Sequence, residues 1–366
     1  MLLEWKQMPS AVSSKVLELA LAAGFDRAGT VSLAQPMPEL DFFPAWLERG
    51  AAGDMDYLAA RDDQGRLKRA SVQATFPWAK SAVVCALDYN TAPPYSTECR
   101  DPRRGWISRY AWFPNTDYHD AVMSRLIRLE DALKREHPAA HTRRYVDTGP
   151  LIERVLAKYA GLGWQAKNTC LISEDAGSWF FLGVLLTSLE LPSPALPAPD
   201  RCGSCTACLD ACPTNAFPAP YQLDAARCIS YLTIEKRGAL PEDLRPLMGN
   251  HLFGCDICQD VCPWNSKERH DQHRAALTKA PEFAPEPSLV NPPLAELATL
   301  SREDFQRRFR RSPIKRAKHS GLRRNAVVAM GNSGDPGFLP TLERLSHDDD
   351  PVVASHAAWA IEHLKR

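Results

Sequence analysis

The chain has 366 residues, enough for two or three domains, and its 44 basic and 44 acidic side chains leave no net charge that predicts a partner. Its apolar, charged and aromatic fractions are those of ordinary globular proteins. No apolar run approaches the roughly 20 residues of a membrane helix, and the first ten residues lack the apolar core of a secretory signal. We therefore expect a cytoplasmic protein with no membrane partner.

Over residues 1–195 the hydrophobic pattern alternates between helical and strand periods. The predicted helices cover residues 10–24, capped by Ser10, then 117–137 and 150–160. The predicted strands cover residues 27–33, 81–88, a segment ending at 147, 169–173 and 178–189. The apolar faces of the first two helices consist of Val12, Val16, Leu17 and Leu21, and of Val122, Leu126, Leu129 and Leu133. Strands that alternate with helices predict an α/β domain.

Two further regions follow a proline-rich connector at residues 192–199, which marks a domain boundary. Residues 196–270 contain the clustered cysteines, and residues 271–366 contain a polar linker followed by helices. Two similar apolar segments in that last region lie about one helical repeat apart, and Asp335-Pro336 and Asp350-Pro351 occupy turn positions. The pattern predicts an all-α, HEAT-like repeat that packs on the rest of the chain.

Eight of the eleven cysteines lie between Cys202 and Cys262. In a cytoplasmic protein, clustered cysteines indicate metal ligands rather than disulfides. The first run is Cys202-Gly-Ser-Cys205-Thr-Ala-Cys208-Leu-Asp-Ala-Cys212-Pro. This is the bacterial ferredoxin spacing, in which three cysteines bind one 4Fe-4S cluster and the fourth binds the other.

The second run, Cys255-Asp-Ile-Cys258-Gln-Asp-Val-Cys262-Pro, is one cysteine short of the ferredoxin pattern, and Cys228 can complete it. Two 4Fe-4S clusters are therefore predicted. The ligands of the first are Cys202, Cys205, Cys208 and Cys262, and those of the second are Cys212, Cys228, Cys255 and Cys258. Two tetrahedral zinc ions would also use eight cysteines, but the spacing is more typical of iron–sulfur proteins. The scattered Cys85, Cys99 and Cys170 are predicted to be ordinary thiols.

Basic residues are concentrated where the C-terminal helices begin. Residues 302–324 contain ten Lys or Arg and only two acidic side chains. A local excess of positive charge suits a phosphate backbone, although most charge runs are only solvated surfaces. Nucleic-acid binding is thus predicted here, with a solvated face as the alternative.

Several strings of the chain resemble the epoxyqueuosine reductase family, and the resemblance extends through nearly the whole chain. These strings are Ser108-Arg-Tyr-Ala, Asp117-Tyr-His119, Tyr145-Val-Asp147-Thr-Gly-Pro-Leu-Ile-Glu-Arg154, Ala160-Gly-Leu-Gly-Trp164-Gln-Ala-Lys-Asn168, Cys228-Ile-Ser-Tyr-Leu-Thr233, Arg245-Pro-Leu-Met-Gly-Asn250 and Gly254-Cys-Asp-Ile-Cys258-Gln. The resemblance implies an α/β cobalamin-binding domain, a bacterial-ferredoxin-like double 4Fe-4S module and the C-terminal all-α HEAT-like repeat.

Members of this family reduce the epoxide of epoxyqueuosine, at the wobble position of tRNA, to the alkene of queuosine. The family is also similar to the corrinoid reductive dehalogenases. The resemblance implies a cobalamin-dependent oxidoreductase that acts on the tRNAs for Asp, Asn, His and Tyr. Its clusters would receive electrons from an external low-potential donor and pass them to the cobalt one at a time. We expect a monomer.

Asp147 matches the family's proton donor, which protonates the departing oxygen. It ends a predicted strand at the edge of the α/β domain, where such folds bind ligands. Burial beside the flat, apolar cofactor would keep its carboxyl protonated near neutral pH. The alternative is a helix cap, since Asp commonly precedes a helix such as the one predicted from Pro150.

The resemblance also implies further cobalamin contacts, at Arg69, Ser108, Leu171, Leu182, Asp256 and Ile257. The alternatives are a solvated charge for Arg69 and a surface-loop serine for Ser108, which stands where some relatives carry cysteine. For the two leucines the alternative is core packing. Because Asp256 and Ile257 lie between two cluster ligands, they would bring the second cluster against the cofactor.

The predicted tRNA contacts belong to the basic stretch and to the segment between the cysteine runs. They are Lys236, Arg237, Lys315, Arg316, Lys318, Arg323 and Arg324. The modified base must unstack to reach a buried cofactor, which a single-stranded loop allows at low cost. Competing functions are a corrinoid reductase for small molecules, an electron carrier and an RNA-binding protein with structural clusters. The first needs no basic stretch, and the second needs no large α/β domain.

Overall fold

The computed structural model describes residues 11–92, 94–113, 116–194, 197–265 and 275–366. Its α-helices in these ranges are α1 (Ala11–Ala22), α2 (Phe42–Glu48), α3 (Val72–Thr75), α4 (Tyr118–Glu136), α5 (Glu153–Tyr159), α6 (Ala207–Asp210), α7 (Ile229–Ile234), α8 (Ile257–Asp260), α9 (Leu294–Ala298), α10 (Arg302–Arg308), α11 (Lys318–Asn332), α12 (Leu339–Leu345) and α13 (Pro351–Leu364). Its β-strands are β1 (Arg27–Ser32), β2 (Ser81–Asp88), β3 (Trp106–Ile107), β4 (Thr142–Tyr145), β5 (Trp164–Gln165), β6 (Leu171–Ile172), β7 (Phe180–Thr187) and β8 (His251–Phe253). None of the described helices is long and apolar enough to cross a membrane.

The described residues form two compact units, each assembled from three separate stretches of chain. The first takes the described residues of Met1–Asn90, Tyr118–Cys205 and Pro263–Lys279, and the second those of Thr91–Asp117, Thr206–Cys262 and Ala280–Arg366. Both units draw on more than one of the predicted regions 1–195, 196–270 and 271–366. The boundary residues 195, 196, 270 and 271 lie outside the described residues, and the three-region division stays a prediction.

A four-stranded sheet in the order β1-β2-β7-β4 organises the first unit. Val122 and Leu126 of α4 approach Gly183 of β7, whereas Val155 of α5 shares a hydrophobic core with Val184. Consecutive strand residues point to opposite faces, so helices cover both sides of the sheet. Burial on both faces explains why every residue of β2 is buried and why its sequence is a continuous apolar run.

All pairings within this sheet are antiparallel. The predicted mixture of helices and strands is confirmed, but their alternation along the chain does not determine strand direction. The rule that ligands bind at a crevice outside the ends of parallel strands, which supported the placement of Asp147, therefore does not apply to this sheet.

The predicted apolar face is correct for one of the two amphipathic helices and wrong for the other. On α4 the whole predicted apolar face is buried. On α1 the predicted Val16 is buried together with Ala20, whereas Val12 and Leu21 are 40% and 51% exposed, so that face was placed wrongly. The predicted cap, Ser10, lies outside the described residues.

In the second unit, α11 is central and packs against α9, α13 and β8. Its residues from Leu322 to Gly331 are all buried. A Cβ atom at Gly331 would lie 2.9 Å from the Cβ of Ala360, so glycine permits the close approach of α13. Asp335 and Asp350 cap the following helical turns with Pro at the first position, as their predicted turn positions require. The HEAT-like classification stays a prediction.

Candidate functional site

Three of the four thiols predicted to bind the second cluster are neighbours in the second unit. Cys255 follows β8, and burial raises the pKa of its thiol well above the usual range. The nearby Cys228 and Cys212 raise this pKa further, because their thiolate charges would repel a third. A bound metal reverses this effect, since a coordinating thiol is deprotonated. The donor set therefore fits a thiolate-ligated cluster.

The first two ligands predicted for the other cluster lie on a loop of the first unit. The Cys205 N–H donates to the Cys202 carbonyl at 3.0 Å, and the Cys202 N–H donates to Asp200 Oδ1 at 2.7 Å. Gly203 closes this turn at a φ of +50°, a conformation that favours glycine. In the described part of the chain, no three His, Cys, Asp or Glu side chains converge on a single metal ion. A cubane holds its thiolates on four separate irons and so needs a wider spacing.

Asp147 lies on an exposed loop, two residues beyond the end of β4. Its Oδ2 accepts a hydrogen bond from the Tyr118 hydroxyl at 3.0 Å, and its backbone N–H donates to Glu153 Oε1 at 2.9 Å. Helix α5 begins at Glu153 with Ile152 as its N-cap, and no side chain caps it. The alternative in which Asp147 caps this helix is therefore wrong.

Tyr118, the donor to Asp147, is held by aromatic stacking at the start of α4. Its ring lies 4.3 Å from that of Phe181 at an interplanar angle of 6°, and 4.0 Å from that of His119. Phe181 stacks in turn on Tyr89 at 4.3 Å. Stacked rings have few rotamers, so the hydroxyl that orients the Asp147 carboxyl is itself fixed.

Arg69 fixes the far end of the Asp147 loop. Its Nη1 donates to the carbonyls of Gly149 and Leu151, the latter at 3.0 Å. The side chain is half-buried, so the alternative of a solvated charge is wrong. A Cβ atom at Gly149 would lie 2.3 Å from the Tyr145 ring, which makes glycine necessary at this position. The loop is thus anchored by Glu153 at one end and by Arg69 at the other.

The two predicted leucine contacts also belong to the first unit. Leu171 is 4% exposed and is part of a hydrophobic core, so core packing is the observed role of its side chain. Leu182 packs against the same core but is the one partly exposed position of β7. Contact of either residue with cobalamin stays a prediction.

Ser108 and Asp256 are joined in the second unit. Ser108 is buried rather than part of a surface loop, so that alternative is wrong, and its hydroxyl hydrogen-bonds to Asp256. Asp256 Oδ2 also accepts the Trp106 indole N–H at 2.9 Å and the Arg109 backbone N–H at 2.8 Å. The Asp256 carboxylate therefore holds the loop between two cluster ligands. Ile257, the half-buried first residue of α8, follows it. Cobalamin contact by these three residues stays a prediction.

The predicted tRNA contacts divide into an exposed and a buried group. Lys315, Arg316, Lys318 and Arg237 are exposed, and Lys236 is half-buried. Arg316 forms a two-pronged ion pair with Glu235 at 2.8 and 2.9 Å, and Arg237 Nη2 donates to the Arg316 carbonyl at 2.8 Å. These exposed residues form a basic surface that begins at the N-terminal end of α11.

Arg323 and Arg324 form the buried group. Arg323 Nε donates to the Ala298 carbonyl at 2.9 Å, and its guanidinium pairs with Asp348. Arg324 is 1% exposed and makes five hydrogen bonds, which matches the five N–H groups of a guanidinium. Neither side chain is open to a phosphate, so we do not extend the tRNA contact to these two arginines.

The chain is similar to known proteins over nearly its whole length. Epoxyqueuosine reductases of Xanthomonas campestris pv. campestris and Pseudomonas aeruginosa are each 39% identical to it. The alignments cover 96% of this chain and 96% and 94% of theirs. This chain belongs to the epoxyqueuosine reductase family. It is therefore an oxidoreductase.

Family models match two parts of this epoxyqueuosine reductase family member. The model described as epoxyqueuosine reductase QueG, DUF1730, matches residues 69–148, which include Asp147. The model described as a 4Fe-4S double cluster binding domain matches residues 201–265, which include all eight clustered cysteines. The second match confirms the prediction of iron–sulfur clusters over zinc.

Solved structures of epoxyqueuosine reductases share this fold. One from Bacillus subtilis, with its catalytic aspartate loop swung out of the active site, has a TM-score of 0.84 at 34% identity, over 96% of this chain and 90% of that chain. Another, with an epoxyqueuosine-modified tRNA-Tyr stem loop, has a TM-score of 0.82 at 34% identity, over 97% and 90%. A reductive dehalogenase reaches a TM-score of only 0.42 at 17% identity, which supports no conclusion about function.

Glu153 and Tyr118 are residues of this site that the sequence analysis did not predict, and Glu153 has the more unusual environment. Burial raises the pKa of its carboxyl to about 8, and the neighbouring Asp147 charge acts in the same direction. Two carboxyls with different environments thus meet at one loop, an arrangement common at acid–base sites. The only signal in the sequence was a glutamate six residues after Asp147, because burial cannot be seen there.

Glu153→Gln is expected to remove a pH dependence from the stability of the protein. The pKa of Glu153 is near its ordinary 4.5 in the unfolded chain and about 8 in the folded protein. Between these values the folded state keeps a proton that the unfolded state has lost. The wild type therefore loses stability relative to the variant as pH rises from about 5 to 8, by about 1.4 kcal/mol per pH unit. Urea titrations of both proteins between pH 5 and 8 measure the free energy of unfolding. The same pH dependence in the wild type and the variant would contradict the prediction.

Proposed function

We propose that this chain reduces the epoxide of epoxyqueuosine, at the wobble position of tRNA, to the alkene of queuosine. The full-length similarity to epoxyqueuosine reductases carries the proposal, since it spans 96% of the chain and so includes the cysteine region and the Asp147 loop together. The proposed setting is the cytoplasm, with the tRNAs for Asp, Asn, His and Tyr as substrates and the chain acting as a monomer.

The reaction sets what the chain must supply. Conversion of an epoxide to an alkene consumes two electrons and two protons and releases the oxygen as water. Two 4Fe-4S clusters can hold one electron each. The double-cluster domain at residues 201–265 can therefore store both electrons that an external low-potential donor supplies. A carbon–oxygen bond must also break, which requires a reactive cofactor because no side chain is a strong enough reductant.

We infer that this cofactor is cobalamin. Bound cobalamin would supply a low-valent cobalt that can break the carbon–oxygen bond. The first unit offers residues that suit a flat, largely apolar group: the buried Leu171, the partly exposed Leu182 that packs against the same core, and Arg69, which is held in place by two carbonyls. Arg69, Leu171 and Leu182 would hold the cofactor in this unit, whereas cobalamin contact by Ser108, Asp256 and Ile257 stays a prediction.

Asp147 is the proposed proton donor to the departing oxygen. Its Oδ2 already accepts the Tyr118 hydroxyl, so the proton is best carried on Oδ1. Asp147 is exposed in the protein alone. Bound cofactor and substrate would bury it, and burial favours the protonated form of a carboxyl. The Glu153 and Arg69 anchors would keep the carboxyl in place during the reaction.

The exposed basic surface is the proposed tRNA contact. It consists of the exposed Arg237, Lys315, Arg316 and Lys318, together with the half-buried Lys236. Positive charge at the start of α11 would bind the phosphate backbone without regard to sequence, which positions the anticodon loop. A reductase for small molecules has no need of such a surface, so the surface favours an RNA substrate.

Turnover on modified tRNA tests the proposal directly. Protein reconstituted anaerobically with iron, sulfide and cobalamin is expected to convert tRNA carrying epoxyqueuosine to tRNA carrying queuosine when dithionite supplies electrons. Nucleoside digestion and mass spectrometry measure both forms. Protein that holds both clusters and cobalamin yet forms no queuosine would refute the proposal, and reduction of a halogenated small molecule in its place would favour the dehalogenase-like alternative.

A further inference from the structure

A short β-hairpin of the first unit, formed by β5 and β6, lies against the loop that carries Cys202 and Cys205. Its turn is closed by the Ala166 N–H, which donates to the Cys170 carbonyl at 2.8 Å. Arg154 of α5 holds the turn by donating to the Thr169 carbonyl at 2.8 Å. The hairpin therefore presents its side chains from a fixed frame.

Lys167 in this turn is a buried cation. It is 9% exposed, and its Nζ donates to the Gly203 carbonyl at 2.6 Å and to the Cys205 carbonyl at 2.9 Å. Both of these acceptors of its Nζ are backbone carbonyls rather than carboxylates. Burial of a charge is costly unless an opposite charge compensates it. The loop that Lys167 binds contains two of the cysteines that would carry an anionic cluster.

Two N–H groups of the same hairpin face the Cys202 sulfur. One is the backbone N–H of Lys167 and the other is the indole N–H of Trp164, and both are placed as hydrogen-bond donors to Cys202. Trp164 is 1% exposed, and its Nε1 has no other partner among the described residues. A buried donor without an oxygen acceptor is unusual, and a cluster-bound thiolate would satisfy it.

Acidic groups nearby act in the opposite sense, from exposed positions. Asp200 accepts the Cys202 N–H, and Glu174 pairs with Arg201, but these three side chains are largely exposed. Solvent and salt screen exposed charges, whereas a buried charge acts through a lower effective dielectric constant. The buried Lys167 ammonium therefore acts on this loop with less screening than the exposed acidic side chains do.

We propose that the β5–β6 hairpin raises the reduction potential of the cluster bound by Cys202 and Cys205, through the Lys167 ammonium and the two N–H groups that face Cys202. Reduction adds negative charge to a cluster that is already anionic. A nearby cation and hydrogen bonds to the ligand sulfur stabilise the reduced form more than the oxidised form. The proposal rests on the cluster assignment and is independent of the substrate.

Redox titration of the full chain, reconstituted with both clusters and without cobalamin or tRNA, tests this role. Lys167→Met is expected to keep about eight irons per chain and to shift one of the two reduction waves to lower potential. At a fixed potential the reduced-to-oxidised ratio of that cluster should fall about tenfold, which equals ~59 mV for one electron. Lys167→Arg should keep the wild-type wave, and Trp164→Phe should shift the same wave by less.

Lys158→Met is the matched control, because Lys158 belongs to the same unit but pairs with Glu39 rather than with the cysteine loop. Its titration should superimpose on that of the wild type. A Lys167→Met protein with full iron content and an unshifted wave would overturn the proposal. If that variant loses iron, Trp164→Phe decides, and an unshifted wave in it overturns the proposal equally. Since no turnover is measured, these outcomes leave the assignment of the substrate untouched.

Discussion

Asp147→Asn is expected to lower the turnover of epoxyqueuosine-tRNA by about 10²–10⁴-fold, the usual contribution of a general acid. The variant should keep its clusters and its cobalamin. Asp147 has a φ of +53°, and Asn is one of the few residues that adopts this left-handed conformation readily. An amide oxygen at this position can also accept the Tyr118 hydroxyl, so the loop should keep its shape. Only the acidic proton is lost.

Asp131→Asn on α4 is the matched control, because it removes an exposed carboxylate from the same unit at a helical position away from the loop. Single-turnover assays under dithionite, with iron and cobalamin quantified in the same samples, separate loss of chemistry from loss of cofactor. Wild-type turnover in Asp147→Asn would remove Asp147 from the proton-donor role. Loss of cobalamin from that variant would show that the residue binds the cofactor instead.

Arg324→Met is expected to destabilise the protein by about 3 kcal/mol or more, because each buried acceptor left without a donor costs about 1–3 kcal/mol. Arg324 donates to the carbonyls of Leu232, Lys236 and Gly238 and to the Asn325 side chain. A methionine fills part of the volume but leaves these acceptors buried without donors, which costs more than the loss of the bonds themselves. Burial also lowers the pKa of Arg324, to about 10, which leaves it charged at neutral pH.

The contrasting variant combines Lys315→Gln with Lys318→Gln on the exposed basic surface. Its stability should stay within about 0.5 kcal/mol of the wild type. Its tRNA affinity should fall, and the slope of log affinity against log salt should decrease by about 1–2, as expected for two lost phosphate contacts. Urea titration and filter binding at several salt concentrations measure the two effects. A stable Arg324→Met protein, or a double variant with unchanged salt dependence, would contradict this division of roles.

Features with a periodic or spacing signal could be predicted from the sequence. The apolar face of α4 repeats every three to four residues, and the cysteine spacing alone identifies the double-cluster domain. Strand direction left no such signal. β2 reads as a continuous apolar run whether its neighbours are parallel or antiparallel, because both of its faces are buried.

Burial of polar groups was the other feature that the sequence concealed. Arg323 and Arg324 belong to the same charge run as Lys315 and Lys318. The two arginines are buried in α11, whereas the two lysines are exposed to solvent. A run of charged residues shows only the local composition, whereas the burial of each side chain depends on contacts with residues that are distant in the sequence. Glu153 is a similar case, since its raised pKa comes from burial that local sequence does not determine.

The division of the second unit among three stretches of chain has a consequence for synthesis of the protein. β3 pairs in parallel with β8, and Trp106 donates to Asp256, 150 residues later. At ~5–20 residues per second, a ribosome needs roughly 8–30 s to make that interval. Trp106 and Ile107, which are fully buried in the folded protein, must stay unpaired for that long in a nascent segment that is rich in aromatic residues. We expect chaperone binding to this segment during translation, and cluster assembly only after residue 262 has left the ribosome.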